Sequence, residues 1–185
     1  MGIYRIITDL VHSFRNKKRE QYLEGLKKKG FKLGENVSIV DNFFFDPSHC
    51  YLISIGNNCT ICPNVRLIAH DASIKKILGY TKIGKIDIRE NCFIGDSAVI
   101  LPGVTIGPNS IVGAGSVVTK DIPPDTVAAG NPAKILFPVE QYIAKITALN
   151  RGKRVFSNDY HIDNLNEEKR RELIAAVEKS IGFIV

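Results

Sequence analysis

Two histidines, His49 and His70, stand in a stretch that is otherwise apolar and glycine-rich, and each has a carboxylate near it in Asp46-Pro-Ser-His49 and Leu67-Ile-Ala-His-Asp71. An imidazole ordinarily titrates near pH 6.5, so His70 could take the proton of an attacking hydroxyl at neutral pH. Taken alone, a single His is more often a surface or packing residue. Asp71 adjoins His70, but neighbours on an extended strand point to opposite faces, so Asp71 reads as touching a substrate or as solvated. Asp46 and His49 are further candidates for substrate contact; His49 also reads as an inward or interface residue. No serine or cysteine sits in a recognisable nucleophile elbow, which argues against a covalent intermediate. Cys59-x-x-Cys62 invites a zinc reading, yet a structural zinc needs four ligands and no second pair supplies them. Cys59, Cys62 and Cys92 therefore read as free thiols, and no metal is expected. His49 and His70 alone are too few imidazoles for a hydratase that holds its metal with three.

The elements that must position these groups come from a repeat. Ile88, Ile94, Ile100, Ile106, Val112 and Val118 follow one another at intervals of six, with Cys92, Ala98, Val104, Ser110, Ser116 and Ile122 four after each. Residues at i+4 and i+6 are two apart and share one face of a strand. Gly95, Gly107 and Gly113 follow the aliphatic residue directly, which the repeat assigns to corners where Gly tolerates unusual backbone angles. Three hexads make one triangular coil, and stacked coils make a parallel β-solenoid burying an aliphatic ladder at about 1.5–3 kcal/mol per side chain. The same register runs through Leu33, Ile39 and Phe45, with Val37, Phe43 and His49 four residues on, and again through Ile55, Ile61 and Leu67. It slips by four residues between Tyr51 and Ile55. From His70 to Lys82 it is interrupted, and that segment reads as a loop thrown from a corner.

Residues 1–30 are helical in pattern, with Ile3, Ile6, Ile7, Leu10, Val11 and Phe14 forming one apolar stripe and Gly30 closing the segment. Beside the basic run at Arg15 to Arg19, that stripe packs on the solenoid or a neighbouring subunit, or else rests on a membrane surface. Residues 31–137 form the repeat domain, and Pro123, Pro124, Pro132 and Pro138 break the hexads and lead the chain away. Residues 138–185 read as a helical extension, with Leu173, Val177 and Ile181 on one stripe and Asn166 as a cap. Helices at both ends would cover the open cross-sections of a solenoid. The net charge of +6 suits an anionic partner, but no nucleic-acid motif accompanies it. No apolar run reaches the length of a membrane span and no signal peptide opens the chain, so a cytoplasmic location is expected.

Three stretches carry a resemblance: Ile100-Leu-Pro-Gly-Val-Thr-Ile-Gly107, Val112-Gly-Ala-Gly-Ser-Val-Val-Thr-Lys-Asp-Ile122 and Ala128-Ala-Gly-Asn-Pro-Ala-Lys134. Over about residues 33–137 the chain resembles hexapeptide-repeat acetyltransferases, most closely the sugar O-acetyltransferases of the galactoside, maltose and polysaccharide-modifying type. The resemblance implies a mainly β protein, a left-handed parallel β-helix, although nothing in the spacing gives that hand. It also implies a homotrimer with sites at subunit interfaces, acetyl-CoA as donor, and a sugar-type acceptor.

Residue by residue, the resemblance implies that His70 is the general base and that Asn42 contributes at the acceptor. Backbone N–H near Ile94-Gly95-Asp96 is expected to hold the oxyanion. At Phe93 the family's aromatic is present; Asp96 departs from the small residue usual there. Ala114 and Gly115 allow close approach of the cofactor's pantetheine arm. Thr119, Lys120 and Lys134 match positions that meet its far end and phosphates, where basic groups make charge-assisted bonds. Phe137 stands where relatives often carry an Arg. Acetylation of an amino sugar nucleotide, acetylation of serine, and a non-catalytic binding solenoid remain as alternatives.

Overall fold

The computed structural model describes residues 3–40 and 42–185, with side chains from residue 16 onward. The chain divides into two compact units, residues 1–139 and 140–185.

The first unit opens with a helix, Ile3–Lys28. The side chains of its Ile3-to-Phe14 stripe lie outside the described residues. Further along, Leu23 and Leu26 are buried in the same core as the solenoid's aliphatic residues. The helix ends in a Schellman arrangement: Phe31 N–H donates to the Leu26 carbonyl (3.1 Å) and Gly30 N–H to that of Lys27 (2.9 Å), with Gly30 at φ +100°.

The hexads then wind into three parallel sheets. The first stacks Lys32–Leu33, Ile53–Ile55, Ile86–Ile88 and Thr105–Ile106, the second Ser38–Ile39, Thr60–Ile61, Phe93–Ile94, Ile111–Val112 and Thr126–Gly130. The third stacks Phe44–Phe45, Arg66–Leu67, Val99–Ile100 and Val117–Val118. Each coil lays its inward residue on that of the next: Leu33 on Ile55, Ile88 and Ile106; Ile39 on Ile61, Ile94, Val112 and Ala128; Phe45 on Leu67, Ile100 and Val118. Ile61, Leu67, Ile88, Ile94, Ile100 and Ile106 are completely buried. This ladder is the core.

Four details depart from the sequence-based expectation. The positive-φ corner residues are not the glycines that follow the aliphatic position but the residues three after it. At the first corner these are Asn36, Asn58, Asn91, Asn109 and Asp125, and at the second Asn42, Asn64, Ser97 and Gly115, with φ between 54° and 67°. Asn is the non-glycine residue that best tolerates this region. Gly95 and Gly107 are glycine for a different reason: a Cβ would lie 2.6 Å from Ala114 N and 2.4 Å from Pro124 N, so the coils could not stack.

Secondly, Pro123 and Pro124 do not lead the chain out. They occupy a corner, where no ladder N–H is required, and the chain continues into Thr126–Gly130 over the last full coil. It then returns antiparallel as Ala133–Pro138, through a cis Asn131–Pro132 bond. Thirdly, the segment after His70 is an excursion with its own structure: His70–Asp71 pairs antiparallel with Lys82–Ile83, and a single helical turn, Lys75–Leu78, ends at Gly79 with φ +80°. Fourthly, His49 does not point into the core. The four-residue insertion makes a 3-10 turn, Cys50–Leu52, and Cys50 fills the interior in its place.

The first-corner side chains form a ladder of their own. Asn36 donates to Asn58, Asn58 to Asn91, Asn91 to Asn109, and Asn109 to the Asp125 carboxylate, at 3.3, 3.2, 2.9 and 2.9 Å.

The second unit contains a helix Val139–Asn150 that begins at the boundary, a helix Glu167–Val177, and a two-stranded sheet of Val155–Phe156 with Phe183–Ile184. Asn166 caps the later helix by accepting from Lys169 N–H at 2.8 Å. Arg154, Tyr160 and Glu172 join in a hydrogen-bonded cluster.

Candidate active site

Both interruptions of the repeat leave the solenoid at the same corner, between the third sheet and the first, in adjacent coils. One follows Phe45 and the other follows Leu67, two residues stacked on one another. That coincidence brings Asp46, His49 and His70 together although they are far apart in the chain.

Asp46 is the centre of the cluster. Its main-chain N–H donates to the Leu67 carbonyl at 3.0 Å, continuing the ladder by one residue, and its side chain is fully buried. Four donors converge on the carboxylate. Oδ1 accepts from the Ser48 N–H (3.2 Å) and the Ser48 hydroxyl (2.7 Å). Oδ2 accepts from the Ala69 N–H (3.1 Å) and lies 2.5 Å from His70 Nδ1. Burial by itself raises the pKa of this carboxyl, but the bonds from His70 and Ser48 outweigh it and hold the group below the usual carboxylate range. Asp46 is therefore an anion, His70 Nδ1 must carry a proton to bond it, and the lone pair of the neutral ring sits on Nε2. The His70 side chain is 33% exposed, so Nε2 can meet a substrate.

His49 lies over this pair. Its ring centroid is 4.8 Å from that of His70, with the planes inclined at 36°. Its Nδ1 is 3.2 Å from the Ser48 Oγ and 3.7 Å from Asp46 Oδ2. The exposed ring of Tyr51 is also close to it, 6.0 Å between centroids. Asp46, His49 and His70 each offer one metal-ligating atom, all within 4.8 Å of one another. An ion there would have to break the His70–Asp46 bond.

The other sequence-predicted residues are placed as follows. Asp71 turns away from the cluster, as the strand alternation implies, accepting from Ser73 N–H (3.0 Å) and pairing with Lys82 (3.4 Å). Its carboxyl lies below the ordinary range, chiefly through the Ser73 bonds and then Lys82. Asn42 sits at the second corner, in the row of Asn64, Ser97 and Gly115, away from the corner that holds His70.

Phe93 projects from the second sheet, 43% exposed. The Asp96 carboxylate accepts from Ser97 Oγ at 2.5 Å, while its carbonyl accepts from Gly115 N–H at 2.7 Å, which sets Ala114 and Gly115 on the coil above it. The Gly95 N–H donates to the Val112 carbonyl at 2.8 Å, so this member of the expected oxyanion group is already engaged in the ladder. Thr119 is exposed beside Lys120, and Lys120 and Lys134 share a cleft of about 260 Å³ with Ala133 and Ile135. All four cysteines are free thiols. Cys59 and Cys92 donate to the carbonyls of Arg89 (3.0 Å) and Gly107 (3.1 Å), and burial pushes the Cys62 thiol up.

From the sequence, Asp46 reads only as a substrate contact, and the group that orients His70 is not evident. Ser48 and the Ala69 N–H are missed altogether. The available signal was Asp46-Pro-Ser48, in which an Asp accepting from the residue two ahead is a turn signature.

Comparison with known proteins bears on the family and the fold. Residues 85–120 match the bacterial transferase hexapeptide (six repeats) family. The chain is 40% identical over 159 residues to protein CapG of Staphylococcus aureus, covering 82% of this chain and 92% of that one. It is 37% identical over 141 residues to galactoside O-acetyltransferase of Escherichia coli, 72% of this chain and 65% of that enzyme. It is 43% identical over 117 residues to a putative acetyltransferase of Schizosaccharomyces pombe, of which it spans 56%. Among solved structures, a hexapeptide-repeat acetyltransferase of Vibrio cholerae superposes with a TM-score of 0.52 at 28% identity, over 65% of this chain and 80% of that one. The polySia-specific acetyltransferase NeuO superposes with a TM-score of 0.50 at 33% identity, over 57% and 47% of the respective chains.

Proposed function

The chain belongs to the bacterial hexapeptide transferase family, and from that premise we propose that it moves the acetyl group of acetyl-CoA to a hydroxyl of a sugar or polysaccharide precursor. The observation that carries this reading is the buried Asp46 carboxylate 2.5 Å from His70 Nδ1, which leaves a lone pair on Nε2 at a partly exposed corner. His70 Nε2 takes the acceptor's hydroxyl proton as its oxygen attacks the thioester carbonyl. Asp46 stabilises the imidazolium that forms. When the tetrahedral intermediate collapses, the carbon–sulfur bond breaks and His70 returns its proton to the departing thiolate, leaving the acetyl ester and free coenzyme A. A base of this kind contributes about 10²–10⁴ in rate.

Lys120 and Lys134, in one cleft, would meet the phosphates of the donor, with Thr119 beside them and Ala114, Gly115, Phe93 and Asp96 along the pantetheine arm. The working assembly is a left-handed β-helical homotrimer, and a sugar acceptor is supported by relatives named for galactoside and polySia acetylation. Asn42 would act on an acceptor held against a neighbouring subunit, since its own chain keeps it at another corner.

The test is release of free thiol from acetyl-CoA against a panel of galactosides, other sugars, amino sugars and serine. His70→Ala should lower kcat/KM by about 10²–10⁴. Lys134→Ala should raise KM for acetyl-CoA with little change in kcat. Thiol release only with an amine or with serine would replace the sugar-hydroxyl acceptor, and an unchanged His70→Ala rate would refute the base.

A further inference from the structure

We infer that His49 is a second hydroxyl-binding residue beside the base, and that the acceptor presents a vicinal diol, one hydroxyl to His70 and its neighbour to His49. The inference rests on the acetyl-transfer reading and narrows its substrate class. Its basis is where the protons must lie. The Ser48 hydroxyl has one proton, and it is given to Asp46 Oδ1 at 2.7 Å. Toward His49, 3.2 Å away, the same oxygen can then only accept. His49 Nδ1 is therefore the donor of that contact, and its Nε2 carries the lone pair.

His70 is in the same state, with Nδ1–H on Asp46 and a lone pair on Nε2. The two rings lie 4.8 Å apart between centroids and are tilted by 36°, both partly exposed, with their protonated edges near one buried carboxylate. Neither Nε2 has a partner among the described residues. The result is a pair of adjacent hydrogen-bond acceptors.

A single reacting alcohol uses only one of them. Two hydroxyls on neighbouring carbons can each reach one acceptor at an ordinary O–H···N distance of about 2.8 Å. A lone base has no need of the second. Tyr51, exposed beside His49, adds a ring against which the carbon face of a pyranose can lie.

The test uses cis-1,2-cyclohexanediol and cyclohexanol as minimal probes, with methyl galactopyranoside as the sugar. The wild type should prefer the diol to the mono-alcohol by about 10–100-fold in kcat/KM, the usual effect of leaving one polar partner unmatched. His49→Phe should collapse that ratio to near one, and His49→Gln, whose amide oxygen still accepts, should restore part of it. In parallel, ¹⁵N spectra of the neutral histidine rings should place the proton of each on Nδ1 and leave each Nε2 bare, and addition of the diol should perturb both.

A wild-type ratio near one, or a preference that survives in His49→Phe, overturns the inference while leaving acetyl transfer intact. So does a spectrum placing the His49 proton on Nε2. If no probe is acetylated, the sugar-hydroxyl reading fails, and the diol titration alone decides whether the paired acceptors exist. Cyclohexanol perturbing both rings as strongly as the diol would refute them.

Discussion

Replacing Asp46 by Asn tests the central claim, because the amide is nearly the same size yet cannot satisfy the same four donors. The carboxylate serves Ser48 N–H and Oγ–H on one oxygen and Ala69 N–H and His70 Nδ1–H on the other. An amide can accept at one end only and donates at the other. Ala69 is fully buried, so an unpaired N–H there would cost about 1–3 kcal/mol, whereas Ser48 is exposed and its N–H can turn to water. The amide oxygen should therefore face Ala69 and His70, with the NH₂ toward Ser48, whose hydroxyl can rotate to accept. His70 would keep its tautomer and lose only the charge beside it. Between unit charges about 4 Å apart at an effective dielectric of about 20, the attraction is about 4 kcal/mol. The amide dipole returns part of that, leaving about 3–4 kcal/mol of imidazolium stabilisation lost as the proton transfers. The expected fall in kcat/KM is about 10²–10³-fold, smaller at its upper end than for His70→Ala. The assay is thiol release with methyl galactopyranoside at saturating acetyl-CoA, on protein shown by circular dichroism to be folded. A folded Asp46→Asn enzyme within about threefold of wild type would refute the claim that this carboxylate supports the base.

The same carboxyl makes a prediction about acid stability. Its folded pKa lies below the ordinary value, so the unfolded chain binds the proton more readily; the stabilisation is complete above the ordinary carboxyl pKa of about 3.9 and disappears as pH falls through the folded value. Melting temperatures from about pH 5 to pH 2 should fall more steeply for wild type than for Asp46→Asn, and parallel curves would remove Asp46 from the account. At the first corner, Asn91 combines two ladder hydrogen bonds with φ +57°. Asn91→Ala should cost about 2–3 kcal/mol, summing the left-handed backbone and two exposed bonds, and Asn91→Gly about 1 kcal/mol. Equal urea midpoints for the two variants would show that the backbone conformation contributes nothing.

What could be read from the chain, and what could not, follows from the range of the interactions involved. The six-residue spacing of Ile88 to Val118 was legible because burial acts at every repeat, and the observed ladder Ile88–Ile106, Ile94–Val112 and Ile100–Val118 is that spacing made solid. The corner chemistry was misread for a local reason. Gly95 looks like a turn residue, but its missing Cβ serves the coil above, a neighbour nineteen positions on that no short window shows, while the positive φ falls on Asn36, Asn58, Asn91 and Asn109. That row was visible in principle, since each Asn stands three after an inward aliphatic residue. Its meaning appears only when the coils are stacked and the side chains bond in series.

The candidate site shows the same limit more sharply. His70 could be singled out because it opens the longer interruption, but its partner lies 24 residues earlier. Asp71, the carboxylate nearest in sequence, is turned to Lys82 and Ser73 by strand alternation. What joins Asp46 to His70 is the stacking of Phe45 on Leu67, which puts two unrelated breaks at one corner. In a solenoid, then, an interruption of the repeat is informative less by its length than by the corner it leaves from. Two that share a corner in consecutive coils bring their opening segments together, and polar residues there (Asp46 directly after Phe45, His70 three after Leu67) form a site over the aliphatic ladder that fixes their register.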